Sequence, residues 1–162
     1  MLVVVDTNVP VVANGKSTQA SPNCVKECLH RIGRIILGQD RLVLDNRWRI
    51  LREYQSNLSP SGQPGIGDAF LKWALTNQAN RKKCECIHIT NVDGSEDDFA
   101  EFPIDPDLKN FDRSDRKFVA VALAHKKHPV ILQAVDTDWW LARQALNRNG
   151  VRIKFLCPED IS

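Results

Sequence analysis

The sequence predicts an α/β fold, a three-layer α/β/α sandwich around a central, mainly parallel sheet. Three observations carry that expectation. Short continuous apolar runs, Leu2-Val3-Val4-Val5, Leu42-Val43-Leu44 and Val130-Ile131-Leu132-Gln133-Ala134-Val135, suit strands buried on both faces. Stretches with helical apolar spacing separate these runs, and strands that alternate with helices imply parallel pairing. Aspartates follow the first and last runs directly, as Asp6 and Asp136, where an open α/β sheet places its ligand crevice. A chain of 162 residues fits one domain (1–162) with a core of its own.

The elements follow in order. After the first strand, Ser21 and Pro22 supply an N-cap and a proline at the first helical position. The helix they open runs through Cys24, Cys28, Ile32 and Ile35 and ends at Gly38. Arg41-Leu42-Val43-Leu44 is the second strand, and Asp45 or Asn46 caps the next helix, which carries Ile50, Leu51, Tyr54 and Leu58 on one face. Glycines and prolines in 59–67 break the pattern. A helix over 68–78 and an alternating strand over 84–90 come next, then an acidic irregular loop over 91–110. Asp112-Arg113-Ser114-Asp115 suits a capping box at the head of an apolar helix. The strand 130–135, a helix over 137–149, a C-capping Gly150 and a strand 151–155 complete the chain.

Bulk properties exclude some classes. No apolar run reaches the length of a membrane span, and the apolar N-terminal stretch lacks a basic leader, so a cytoplasmic, non-membrane protein is expected. The five cysteines are then expected as free thiols. The formal net charge of +2 is nearly balanced, but its distribution is not. Arg41, Arg47, Arg49 and Arg52 form one basic run and Arg81-Lys82-Lys83 another, while 93–107 is acidic without a lysine or arginine. These are either solvated faces or a basic rim that guides a polyanion to an acidic centre.

The carboxylates carry the chemistry. Asp6 leaves a buried strand and either caps a helix or ligates a cation. Asp115 shares a helical face with Val119 and Ala122, and a carboxylate on an apolar face is costly unless paired or metal-bound. Asp136 and Asp138 flank Thr137; one suits a ligand and the other a cap, with Asp136 the first choice. Glu53 lies beside the buried stripe of its helix and either pairs with Arg49 or joins the other acids. Carboxylates brought together repel unless a cation holds them, and hard ions such as Mg²⁺ or Mn²⁺ take oxygen ligands. The reading is a metal-dependent enzyme acting on phosphates.

The pattern resembles the PIN-domain nucleases, the family that includes the toxin ribonucleases of many bacterial toxin–antitoxin pairs. The matching pieces are Val5-Asp6-Thr7-Asn8, Glu53-Tyr54, Asp115-Arg116-Lys117-Phe118-Val119-Ala120-Val121-Ala122 and Val135-Asp136-Thr137-Asp138-Trp139. The resemblance covers most of the chain through short motifs. It implies a PIN-like fold with Asp6, Glu53, Asp115 and Asp136 as catalytic and metal-binding residues, and Asp138 as a further ligand. Mg²⁺ or Mn²⁺ would be the cofactor, with Thr7 and Asn8 orienting the ligands; by their closeness to Asp115 in sequence, Arg113 and Arg116 either meet the substrate backbone or belong to a solvated face. The implied activity is endoribonuclease hydrolysis that leaves a 5′-phosphate and a 3′-hydroxyl, with an antitoxin protein and a homodimer among the implied partners. The chain departs from the compact toxins in a longer stretch at about 59–110, an insertion, and in Ala134, where threonine or serine is frequent.

Other readings stay open beside this one. A nuclease acting on DNA needs the same backbone chemistry, and a non-catalytic nucleic-acid-binding module would keep the fold. A phosphatase of the haloacid dehalogenase type needs a second aspartate two residues after the first, where this chain has Asn8. Trp139-Trp140 is either core or a base-stacking platform. Cys24, Cys28 and His30 with Cys84, Cys86 and His88 offer zinc-type ligands without a zinc-type spacing, and buried thiols are the simpler account.

Overall fold

The computed structural model describes residues 1–161; Ser162, the last residue of the predicted domain, lies outside the described residues. Five strands form one all-parallel sheet: β1 (Leu2–Val5), β2 (Arg41–Asp45), β3 (Cys84–Ile87), β4 (Val130–Gln133) and β5 (Ile153–Phe155). Their spatial order is β3-β2-β1-β4-β5, with Val3 opposite Leu42 on one side and Val130 on the other. The chain steps outward from β1 to β3 and then crosses back to β4, so the order reverses between β1 and β4. A crevice opens at such a reversal, outside the carboxyl ends of the strands.

Among the described residues seven α-helices flank the sheet: α1 (Asn8–Ala13), α2 (Pro22–Ile36), α3 (Arg49–Asn57), α4 (Ile66–Asn77), α5 (Arg116–Ala124), α6 (Thr137–Leu141) and α7 (Arg143–Arg148). Helices α1, α2 and α4 pack on one another, and α5 lies against β1, β2 and β4, giving the expected three-layer sandwich. Val3, Val4, Val5, Leu42, Val43, Leu44, Ile131 and Leu132 are all fully buried, as continuous apolar strands require. No helix among the described residues is long and apolar enough to cross a membrane.

Helix α2 follows its sequence signals. The Ser21 hydroxyl accepts the Cys24 N–H at 3.2 Å, Pro22 begins the helix, and the stripe Cys24, Cys28, Ile32 and Ile35 is buried. Gly67 marks a close approach. A Cβ there would meet the Pro10 carbonyl oxygen at 2.0 Å, so α4 can press its first turn against α1 only with glycine. The Asn14 side chain at the end of α1 seals that contact, accepting the Gly67 N–H at 2.7 Å and donating to Asp68 at 3.0 Å.

Four expectations need correction. The strand expected over 84–90 stops at Ile87, because Asn46 makes the last ladder bond to the Ile87 carbonyl and the Glu101 carboxylate takes the Thr90 N–H at 2.5 Å. The helix expected over 137–149 is two helices joined at Ala142. The Arg143 guanidinium binds the Trp140 carbonyl at 2.6 Å and removes it from the helical ladder. The stretch 59–110 is not wholly an insertion: it supplies α4 and the sheet strand β3, and only the part after Ile87 runs outside the layers. Cys24 and Cys157 are joined in a disulfide across a sequence separation of 133, leaving Cys28, Cys84 and Cys86 as the free thiols. Neither partner carried a signal in the sequence, since helical packing and the path of the C-terminal segment bring them together.

A cross-link over so long a loop removes much unfolded-state entropy, about 4–5 kcal/mol in the chain-entropy account. Thiol titration of the denatured, unreduced protein should find three thiols of the five cysteines. Calorimetry should show Cys24→Ser melting roughly 10 °C lower. A titre of five would remove the bond from the structure.

Candidate active site

Four carboxylates from four elements meet at the reversal of strand order. Asp6 sits directly after β1, Glu53 within α3, Asp115 immediately before α5 and Asp136 between β4 and α6. Asp6 is held from several sides. Its N–H donates to the Leu132 carbonyl at 3.1 Å, and its Oδ2 accepts the Asn8 N–H at 3.2 Å, while its Oδ1 is buried with no partner. One oxygen therefore takes a backbone N–H at the head of α1, and the other is left without a donor.

Electrostatics records the convergence. Burial pushes the Asp6 carboxyl well above the usual carboxylate range, and the charges of Asp115, Glu53 and Asp136 push it further. Asp115 is pushed up to about 7, by burial first and then by Asp136, Asp112 and Glu53, while Lys117 pulls the other way. The Asp136 carboxyl is raised chiefly by burial, although it accepts the N–H of Asp138 at 2.9 Å. Asp138 itself is exposed, so Asp136 is the inner member of the pair. Asp112 is also exposed; it caps the 3-10 turn Arg113–Asp115 by accepting the Ser114 N–H at 2.9 Å.

Glu53 is placed by its neighbour. The Tyr54 hydroxyl, fully buried, donates to the Val5 carbonyl at 2.6 Å and so ties α3 to the end of β1. Glu53 then accepts the Thr7 hydroxyl on one oxygen and the Lys117 ammonium at 2.6 Å on the other. The alternative pairing with Arg49 is not made, because Arg49 lies at 3.4 Å from the buried Asp45. Asn8 clamps α1 to β4: it donates to the Gln133 side chain and accepts the Ala134 N–H at 2.9 Å.

The arginines expected at the substrate fare differently. Arg116 is buried, and its guanidinium is fully engaged by Asp98 at 3.0 Å and by the carbonyls of Phe111 and Lys109. It also lies 4.4 Å from the centre of the Phe102 ring. Arg116 anchors the acidic loop and is withdrawn from the substrate-contact set. Arg113 is exposed and pairs with Asp97 at 3.2 Å. Arg148 holds Asp105 at 2.9 Å and Asp107 at 2.6 Å. Much of the acidic run over 93–107 is thus neutralised by the chain's own arginines. Trp139 is fully buried against Phe111, and Trp140 packs edge-on against Phe155, so that pair belongs to the packing.

Two residues escaped the sequence reading. Lys117 brings an ammonium to the cluster, and nothing in its spacing sets it apart from the solvated lysines. Gln133 is fully buried at the end of β4, where its apolar surroundings suggested another strand residue.

The donor set suits a hard divalent ion. All candidate ligand atoms are oxygens, and Asp6 Oδ1 is a buried acceptor without a donor. Among the described residues only Cys24, Cys28 and Cys157 bring three ligand atoms within 4.8 Å of one another, and two of these are already bonded together. The carboxylates stand wider apart. Mg²⁺ takes one or two carboxylates directly and keeps several waters, so it needs no closer grouping of acids.

Comparison with protein-family models, curated proteins and solved structures found no match.

Raised carboxyl pKa values fix a sign. The folded chain keeps protons on Asp6, Asp115 and Asp136 that the unfolded chain releases near pH 4, so stability falls as pH rises through about 7. Without metal, the melting temperature should drop between pH 5 and pH 8. Added Mg²⁺ or Mn²⁺ should raise it more at pH 8, where the ion no longer competes with protons. An equal rise at both pH values would count against a carboxylate site. Tyr54→Phe should cost about 1–2 kcal/mol in urea unfolding through loss of the bond to Val5.

Proposed function

We propose that this chain is a Mg²⁺- or Mn²⁺-dependent nuclease that hydrolyses phosphodiester bonds in RNA. The observation that carries the reading is the meeting of Asp6, Glu53, Asp115 and Asp136 at the strand-order reversal, with one buried oxygen of Asp6 unpartnered. Asp6, Asp115 and Asp136 would hold the ion, with Glu53 completing the set. Bound there, a hard divalent ion supplies Lewis acidity and offsets charge that develops on phosphate oxygens.

The chain's own groups do the remainder. Thr7 and Lys117 fix the Glu53 carboxylate between them. Lys117 also supplies the positive charge that a non-bridging phosphate oxygen meets on arrival. In the reaction a water oxygen bonds to phosphorus and the bond from phosphorus to the 3′ oxygen breaks. One water proton goes to a carboxylate of the cluster, and a proton from solvent water converts the departing 3′ oxygen to the hydroxyl. The products carry a 5′-phosphate and a 3′-hydroxyl. An inhibitory partner protein would act by placing a further cation among these acids, as Lys117 already does in part.

The test compares native protein with Asp115→Asn on labelled RNA and single-stranded DNA, with and without Mn²⁺ or Mg²⁺. RNA cleavage that needs metal and falls at least 100-fold in the variant is expected, a loss of about 2.7 kcal/mol or more in transition-state stabilisation. Metal-dependent cleavage of DNA alone would move the substrate class. Equal cleavage by both proteins would overturn the reading.

A further inference from the structure

One tryptophan is unlike the other three. Trp139 is buried, Trp73 stacks with Phe70, and Trp140 packs on Phe155 beneath the Arg143 guanidinium. Trp48 is 39% exposed and, among the described residues, has no aromatic or cationic partner. Its backbone lies in the left-handed region at φ 63°, which a bulky residue adopts only when its surroundings force it.

Buried Asp45 supplies that force. Its carboxylate accepts the N–H groups of Arg47 at 3.0 Å, Arg49 at 3.0 Å and Ile50 at 2.9 Å, gripping the chain on both sides of Trp48. The indole is thereby held at the surface on a rigid turn. Glycine would make this turn without strain, so the fold by itself gives no reason for a large aromatic there.

The setting points to a ligand. The turn follows the carboxyl end of β2, beside β1, on the sheet edge that carries Asp6. Trp48 also opens α3, the helix that carries Glu53. Arg47 and Arg52 are exposed, and among the described residues their guanidinium groups have no hydrogen-bond or ion-pair partner; Arg52 lies one helical turn from Trp48. A partly exposed aromatic side chain flanked in sequence by unpaired cations is the composition that takes a single nucleic-acid strand: a base stacks on the ring and phosphates meet the guanidiniums.

We propose that Trp48, with Arg47 and Arg52, forms a stacking platform for an unpaired nucleobase of a single strand that leads into the carboxylate cluster. This rests on the nuclease reading for its substrate, but its test is binding and not cleavage. The full chain carrying Asp115→Asn, in buffer with chelator, is titrated with labelled oligouridylate and oligothymidylate, and anisotropy is followed. Replacing Trp48 by Gly in that background should weaken binding about ten-fold or more, while the melting temperature holds or rises because the left-handed residue loses its Cβ. Trp48→Phe should keep most of the affinity. Arg47→Ala with Arg52→Ala should weaken binding and flatten its dependence on salt.

Unchanged affinity in Trp48→Gly, or no affinity of the parent for either strand, overturns the platform. Neither result touches the nuclease reading, which stands or falls on metal-dependent cleavage. A preference for oligouridylate would assign the strand as RNA, and a preference for oligothymidylate would assign it as DNA.

Discussion

Mutual repulsion among carboxylates is the constraint around which this molecule is arranged. Asp6, Asp115 and Asp136 are drawn out of water at one point; burial makes each harder to ionise, and the charges of Asp115 and Asp136 weigh further on Asp6, as that of Asp136 does on Asp115. A fold gains nothing in stability from such a cluster. What holds it is the surrounding frame. Strands β1 and β4 are locked together by the bond from Asp6 to Leu132, and α3 is fastened to β1 through Tyr54. Asn8 closes α1 onto the end of β4. Each fastening is buried or partly buried and well satisfied, so the rigid parts absorb the cost of the crowded acids.

The outer loop is governed by charge in a different way. The acidic residues after β3 meet Arg113, Arg116 and Arg148, each from a later part of the chain. Exposed pairs of this kind contribute little singly, but several together, with Arg116 and Phe102 packed in the interior, fix the path of a segment with little regular structure. Much of the loop's negative charge is thereby occupied within the chain.

Much of the fold was legible because its signals are local. Val3 to Val5 and Leu42 to Leu44 announce doubly buried strands by being apolar without interruption, and Ser21-Pro22 announces a helix start through its own side chain and ring. The acids at Asp6, Asp115 and Asp136 were visible because strand ends and helix starts are where such residues stand out. Features created by distant partners were not. The role of Lys117 depends on Glu53, 64 positions away, and the engagement of Arg116 depends on a loop with no periodic pattern. The bond between Cys24 and Cys157 depends on the whole sheet being built. Trp48 falls between these cases, because the left-handed backbone that sets it apart comes from the carboxylate of Asp45, three residues before it.

The bond between Cys24 and Cys157 closes a covalent loop across a sequence separation of 133. Closure requires the segment that carries Cys157 to dock beside α2, where Cys24 is buried. Once closed, a single backbone cut anywhere between the two cysteines leaves one covalent molecule, and the excised-looking pieces part only when a reductant opens the ring.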